Sequence, residues 1–442
     1  MVSRDSHAHS AGIAPTLLVV AVAAIAVALR ILAVLILNHP LRSDPLAYFT
    51  MAKGLIERGQ WVDQFGQHVF FSAGYPLLLA PFFAVFGSSV PVAIAVNMLL
   101  TVVSVWLVFR MAILLSGNWK AGVLAAAVFA VWLPAIWNAT LVAKENLSTP
   151  LLLGIALCGV LIARGRNPLA FTMLVGFLWG FALLTGGSSL LLCLGIVAAL
   201  FIRQRSHARS ALPVCGGLLF LLGALIPLAP WLYATNQMVG RPVLTTNAQF
   251  NLYLGNNPAA DGRFVSIART PLGKNWDAAR LRLGEIGNAD RLQHEALRWI
   301  ADNPVKAGGL ALHKLVYFWS PNIPDARDFK ASRMIAAVHT LGVVQYLTII
   351  ILGFAAFRLS QVSSKEKWVF AAMIVGYWLV HAGAYIIPRY RDPVIPLLII
   401  MASILAAGWL PPKAAPPSAA RLEGEDFFTP PLGGEGEGQM PS

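Results

Sequence analysis

The stretch Phe71-Ser72-Ala73-Gly74-Tyr75-Pro76-Leu77-Leu78-Leu79-Ala80-Pro81-Phe82-Phe83-Ala84-Val85-Phe86-Gly87 decides how this chain is folded. It is apolar, but its core is short and it holds two prolines, Pro76 and Pro81. A helix needs about 20 apolar residues to cross a bilayer. If 71–87 crossed, every later loop would change sides and the arginine-rich loops would face outward, against the tendency of Lys and Arg to stay on the cytoplasmic side. The stretch is therefore read as a helix lying in the interface or dipping into the outer leaflet. Residues 38–90 then form one long external loop.

Around it the chain alternates apolar runs and short polar loops. Of 442 residues, 57% are hydrophobic and 12% charged, against about 25% charged in a typical soluble domain. That excludes a soluble enzyme and a disordered coil. Ten spans are expected, at 14–37, 91–112, 121–137, 147–164, 169–184, 188–202, 211–233, 334–357, 368–387 and 393–410. With a cytoplasmic N-terminal tail, residues 1–13, the inner loops hold Lys120, Arg164, Arg166, Arg203, Arg205, Arg209, Arg358, Lys365 and Lys367, and the short outer loops hold few basic residues. The net charge of +13 is thus a topology signal rather than a nucleic-acid footprint. The fold class is an all-α polytopic membrane protein with interfacial helices. Cys158, Cys193 and Cys215 sit inside apolar runs and show neither metal nor disulfide spacing.

A second long external segment, 234–333, follows the seventh span. It opens with a β-like stretch, Val243 to Leu254, and a turn-rich patch, Gly255-Asn256-Asn257-Pro258, so a small external α/β unit is expected. An amphipathic helix is predicted near 289–301, with Leu292, Ala296, Trp299 and Ile300 on one face. Residues 309–319, apolar with one lysine and aromatic rings, read as interfacial. The tail 411–442 is rich in Pro, Gly and Glu and reads as disordered and cytoplasmic.

Polar residues near the outer face need a reason. Asp44, a few residues beyond the first span, is either a cap for a short helix with Pro45 at its first position, or a base or metal-linked carboxylate that takes a proton from an attacking hydroxyl. Glu145 is either a charge suited to the first turn of a helix or a functional carboxylate at membrane depth. Arg389 and Arg391, on either side of Tyr390, run against the positive-inside trend. They either anchor to headgroups or bind lipid-phosphate oxygens through their planar forks. Asn256 and Asn257 either hydrogen-bond sugar hydroxyls or build a tight turn. The topology gathers Asp44, Glu145, Arg389 and Tyr390 on one face. No phosphate loop, dinucleotide fingerprint or nucleophile elbow is present, and no soluble nucleotide-binding domain, which argues against a nucleotide-sugar donor.

The motifs Ser43-Asp44-Pro45-Leu46-Ala47-Tyr48, Gly74-Tyr75-Pro76-Leu77-Leu78-Leu79, Lys144-Glu145-Asn146-Leu147, Gly255-Asn256-Asn257-Pro258 and Arg389-Tyr390-Arg391-Asp392-Pro393, in that order, resemble the GT-C superfamily of integral-membrane glycosyltransferases. The resemblance runs over about residues 14–410 and is nearest the branch of protein O-mannosyltransferases and lipid A aminoarabinose transferases. It implies a GT-C-like bundle of about ten helices in the plasma (inner) membrane with both termini cytoplasmic. It also implies an external active site, a polyprenyl-phosphate-linked sugar donor, an acceptor that is a lipid, glycan or protein, and inversion at the anomeric carbon. It maps a catalytic aspartate onto Asp44 and a second acidic residue onto Glu145. Tyr48 and Lys144, beside them in the same motifs, are assigned with Asn256 and Asn257 to substrate binding. Arg389, Arg391 and Tyr390 are assigned to the lipid phosphate. No cofactor is required outright; a divalent metal on Asp44 and Glu145 is the possible addition, since some members bind one. The chain departs from the pattern in having Pro45 where several relatives have a second acidic residue, and no basic residue near Thr185-Gly186-Gly187-Ser188. The alternative functions are a flippase or transporter of a lipid-linked sugar and a non-catalytic assembly subunit on the same scaffold.

Overall fold

The computed structural model describes residues 5–206, 212–323 and 332–409. Arg209 and the tail 411–442, with their predicted loop and disorder, lie outside those residues, as do 324–331 of the second long segment. The described residues form helices α1 (Asp5–Leu37), α2 (Ser43–Arg58), α3 (Gly74–Phe86), α4 (Val90–Ser116), α5 (Trp119–Ala130), α6 (Leu133–Ala139), α7 (Glu145–Arg164) and α8 (Pro168–Thr185). These are followed by α9 (Cys193–Ser206), α10 (Leu212–Val239), α11 (Asn247–Gly255), α12 (Trp276–Asp302), α13 (Pro304–Phe318), α14 (Arg333–Leu359), α15 (Ser364–Val380) and α16 (Ile395–Gly408).

Six of them are long and apolar enough to cross a membrane: Pro15–Leu37 within α1, then α4, α7, α8, Cys215–Val239 within α10, and α14. A seventh span is broken, with α5 and α6 meeting at 56° where 121–137 was expected to be straight. The cause is Pro134, whose ring clashes with the carbonyl four residues back and lacks an N–H to continue the ladder. The carbonyl set free there, on Ala130, accepts a hydrogen bond from Arg30 Nη1 at 2.9 Å, and Ala26 O accepts another at 3.0 Å. Arg30 is an arginine within the first span, completely buried, and this is its function in the fold. Arg30→Met is expected to lower stability in detergent by about 1–3 kcal/mol, the cost of buried carbonyls left without donors, read as a drop in thermal midpoint.

The three remaining expected spans are shorter helices than the sequence suggested. The run from Gly187 to Arg203 opens as a 3-10 turn before α9, α15 stops at Val380 rather than reaching 387, and α16 has 14 residues. Almost every residue of α16 is buried, so helices rather than lipid surround it. Helix α3 has 13 residues, about 20 Å at 1.5 Å per residue, too short to cross about 30 Å of hydrocarbon. That length suits a helix that lies in the interface or dips into one leaflet.

Direct contacts join the two long polar segments. Glu285, just after a left-handed kink at Gly284 (φ 68°) in α12, accepts the backbone N–H groups of His68 and Val69, each at 2.8 Å. Thr246 N–H donates to Val69 O at 2.8 Å. Asp63 is buried rather than solvated; its Oδ1 accepts from Phe65 N and Gln67 N and shapes the loop. At the far end of α7, Arg164 Nε meets the buried Glu366 of α15 at 2.5 Å and its Nη2 donates to Leu114 O at 2.6 Å. Arg164 and Glu145 thus sit at opposite ends of one helix.

The β-like stretch is corrected. Among the described residues there is no strand; 247–255 is helical, and the one bridge pairs Arg263 with Ile386. A lone apolar stretch without a partner strand leaves its ladder unpaired, whereas as a helix it buries Tyr253 and Leu254 against Leu292, Ala296 and Tyr385. The amphipathic helix is present within α12, with Leu292 and Ala296 buried.

Candidate active site

Three sequence-distant side chains meet where the loops converge. Asp44 lies in the first turn of α2, and Ser43 before it adopts a left-handed φ of 51°. A non-glycine residue pays for that backbone. No backbone N–H is capped by the Asp44 carboxylate. Instead Oδ1 accepts from Ser43 Oγ at 3.1 Å and Oδ2 accepts from Arg389 Nη2 at 3.1 Å. Glu145 begins α7 and is buried. Its Oε1 lies 3.5 Å from Arg389 Nε. That is an ion pair but not an aligned hydrogen bond, so the buried Nε–H has no acceptor. Arg389 stands on a 3-10 turn, Pro388–Arg391, between α15 and α16. Burial alone would weaken its charge, but Glu145 and then Asp44 more than offset this and hold it as a cation. Two carboxylates on one guanidinium leave the cluster with a net negative charge.

The neighbours are aromatic and polar. Tyr48, one turn after Asp44, is buried with its ring edge-on to Phe71 and Tyr75, both at 5.9 Å. Burial, then the charges of Asp44 and Glu145, keeps its phenol protonated. Tyr390 packs on His381 and Tyr385 at 5.5 and 5.8 Å, and burial raises its pKa also. Lys144 is half-buried and reaches the turn after α8: a Cβ added to Gly186 would lie 3.4 Å from Lys144 Nζ and 3.6 Å from Ser188 Oγ. Lys144 thus places its ammonium beside the 186–188 turn.

Three expected site residues do not join the cluster. Arg391 turns away and is buried; its Nη1 donates to Phe318 O at 3.0 Å and to Ser320 O, and its guanidinium lies 3.9 Å over the Tyr346 ring. With Nη1 donating to two carbonyls it braces the chain after α13. Asn256 and Asn257 are buried and satisfied. The Asn257 amide donates to Tyr253 O at 2.8 Å, and its Oδ1 accepts from Ala259 N at 2.8 Å, closing a turn. Asn256 donates to Leu252 O and Gly383 O at 2.8 and 2.7 Å, and its Oδ1 accepts from Lys314 Nζ at 3.1 Å.

Two residues escaped the sequence reading. Asp392 is buried beside the cluster, accepts from Asn138 Nδ2 at 2.9 Å, and burial pushes its pKa up to about 7. It lines, with Glu145, Asn138, Thr101 and Arg30, a cavity of ≈ 30 Å³, room for a water or two. Lys314 is the other, fully buried on α13. Its signal was a lone lysine in an apolar run. Burial lowers its pKa from 10.5 to about 8. The unfolded chain keeps the proton to higher pH than the folded one, so this group makes stability rise as pH climbs from about 8 toward 10.5. Thermal unfolding in detergent is expected to show that rise in the wild type and a flatter profile in Lys314→Met.

The metal expectation finds no support in the site's chemistry. Among the described residues no three His, Cys, Asp or Glu side chains lie together as ligands, and the space between Asp44 and Glu145 is taken by the Arg389 cation.

Residues 73–233 match the family described as dolichyl-phosphate-mannose-protein mannosyltransferase. No curated protein sequence matches the chain. Among solved structures it is similar to ArnT from Cupriavidus metallidurans bound to undecaprenyl phosphate, with a TM-score of 0.52 and 13% identity over 90% of this chain and 60% of that one. It is also similar to the oligosaccharyltransferase AglB from Archaeoglobus fulgidus in complex with an inhibitory peptide and a dolichol-phosphate, with a TM-score of 0.50 and 13% identity over 88% of this chain and 50% of that one. The chain therefore spans 60% of the length of the first and half that of the second. Residues 73–233 thus match a membrane mannosyltransferase family in sequence, and the fold is similar to those of ArnT and AglB.

Proposed function

We propose that the chain moves a sugar from a polyprenyl-phosphate carrier to an acceptor hydroxyl at the non-cytoplasmic face of the plasma (inner) membrane, with both termini cytoplasmic. The observation that carries this reading is Arg389 held between Asp44 and Glu145 with a buried N–H left over. That N–H, on a group whose fork suits phosphate oxygens, is an unspent donor for the carrier's phosphate. Lys144 adds a second positive charge near Glu145.

Asp44 is about one-third exposed on its side chain, so an acceptor can reach it. It takes the proton as the acceptor oxygen attacks the anomeric carbon. The new C–O bond forms as the bond from that carbon to the phosphate oxygen breaks, and its electron pair leaves on the lipid phosphate. One displacement on a carbon inverts it, and a hexosyl or pentosyl unit is carried over. Arg389 meets the charge that develops on the leaving phosphate, where fixed electrostatics contributes most. Glu145 fixes the guanidinium. No step is routed through a metal, because Arg389 fills the place between the carboxylates. That ArnT is solved with undecaprenyl phosphate and AglB with a dolichol-phosphate supports the donor class.

Mass spectrometry of envelope glycans and lipids from cells with and without the gene tests the reading. One sugar modification should vanish without the gene and return with the wild type but not with Asp44→Asn. An unchanged profile contradicts it.

A further inference from the structure

The backbone that presents Arg389 has little regular structure of its own between α15 and the 3-10 turn. It is held from outside by the second long segment. Lys314 Nζ donates to Ala382 O at 3.2 Å and to Asn256 Oδ1 at 3.1 Å. The Asn256 amide in turn donates to Gly383 O at 2.7 Å. Ile386 N–H donates to Gly262 O at 2.9 Å. Gly255 packs so closely that an added Cβ would lie 2.5 Å from the Ala384 carbonyl carbon and 2.8 Å from Tyr385 N. Phe264 then packs on Tyr385 at 5.1 Å, and Tyr385 on Tyr390, next to Arg389.

Lys314 is the costly member of this set. It is fully buried, and among the described residues it forms no salt bridge. A buried ammonium without a counter-ion weakens a fold, so its presence calls for a role other than bulk stability. Its two acceptors lie on different parts of the chain, one in the second long segment and one in the loop before Arg389.

We propose that Lys314, working through Asn256, is a positioning residue: it fixes the 382–386 backbone and thereby the place of Arg389 beside Asp44 and Glu145. The segment 234–333 is then mechanically joined to the guanidinium, so that whatever docks on the segment is felt where the leaving phosphate sits. Only the activity arm of the test rests on the transfer reaction proposed above.

The test compares wild type, Lys314→Met, Asn256→Ala and, as a control on the same segment, Arg241→Ala, which breaks only the exposed Arg241–Asp290 pair. Hydrogen exchange on the purified full chain is expected to rise at least tenfold at 382–392 in the first two variants and to stay at the wild-type rate in the control. In the same variants kcat at saturating donor and acceptor is expected to fall about tenfold to a hundredfold, the scale of a roughly 1 Å misplacement, while the KM for acceptor stays within about threefold. Wild-type protection at 382–392 in both variants overturns the proposal. So does lost protection with unchanged kcat. If the wild type itself transfers no sugar, the functional reading fails, and the exchange measurement still decides the positioning role.

Discussion

Asp44→Asn is expected to lower kcat by roughly 10²- to 10⁴-fold, the usual contribution of a positioned general base, with the protein still folded. The substitution is nearly isosteric, and its amide oxygen can still accept from Arg389, so the geometry of the cluster survives while the basicity is lost. The exposure of Asp44 makes the comparison clean, because no buried charge is stranded by the change. Donor KM should move little, since Asp44 acts on the acceptor. A transfer assay on purified wild type and variant checks this. Equal rates would mean that Asp44 serves only to hold Arg389.

Arg389→Met is expected to lower kcat by roughly 10²- to 10³-fold, the cost of removing one preorganised donor to a developing oxyanion, and also to raise donor KM. The cation that offsets two carboxylates disappears. Asp44 and Glu145 then face the carrier's phosphate as like charges. Arg389→Lys should recover little, because one ammonium cannot serve Asp44, Glu145 and a phosphate oxygen with the spread of a planar fork. Steady-state kinetics with donor varied at fixed acceptor separates the two effects. If Arg389→Lys matched the wild type, point charge alone would suffice and the bridging geometry would be irrelevant.

The part of this site that was legible in the sequence was the part governed by topology. A 13-residue helix with two prolines is shorter than a span needs, and reading it as non-spanning puts residues 44, 145 and 389 on one side. Charge at membrane depth then singled out Asp44, Glu145 and Arg389, and all three meet. What topology does not fix is side-chain direction. Arg389 and Arg391 are two residues apart and chemically equal, yet the 3-10 turn sends one to the carboxylates and the other to the Phe318 carbonyl. Asn256 and Asn257 look like sugar-binding amides, but their N–H groups donate to backbone carbonyls, and the Asn256 Oδ1 accepts from Lys314. The stretch 247–254 alternates like a strand, but without a partner strand it folds as a helix. The burial of Lys314 and Asp392 was not legible because it comes from packing between segments far apart in the chain. Arg30 was a charge inside the first apolar run, and its reason, the carbonyls released at the Pro134 break, lies a hundred residues away.

The central claim is that this chain breaks the bond between a sugar and a polyprenyl phosphate. Purified protein in proteoliposomes, given polyprenyl phosphate carrying a labelled sugar together with an acceptor extract, tests it most directly. The account predicts that wild type releases free polyprenyl phosphate in equal amount to labelled acceptor, and that Asp44→Asn and Arg389→Met release almost none. Labelled lipid that crosses the vesicle membrane intact, with no free polyprenyl phosphate formed, would contradict it.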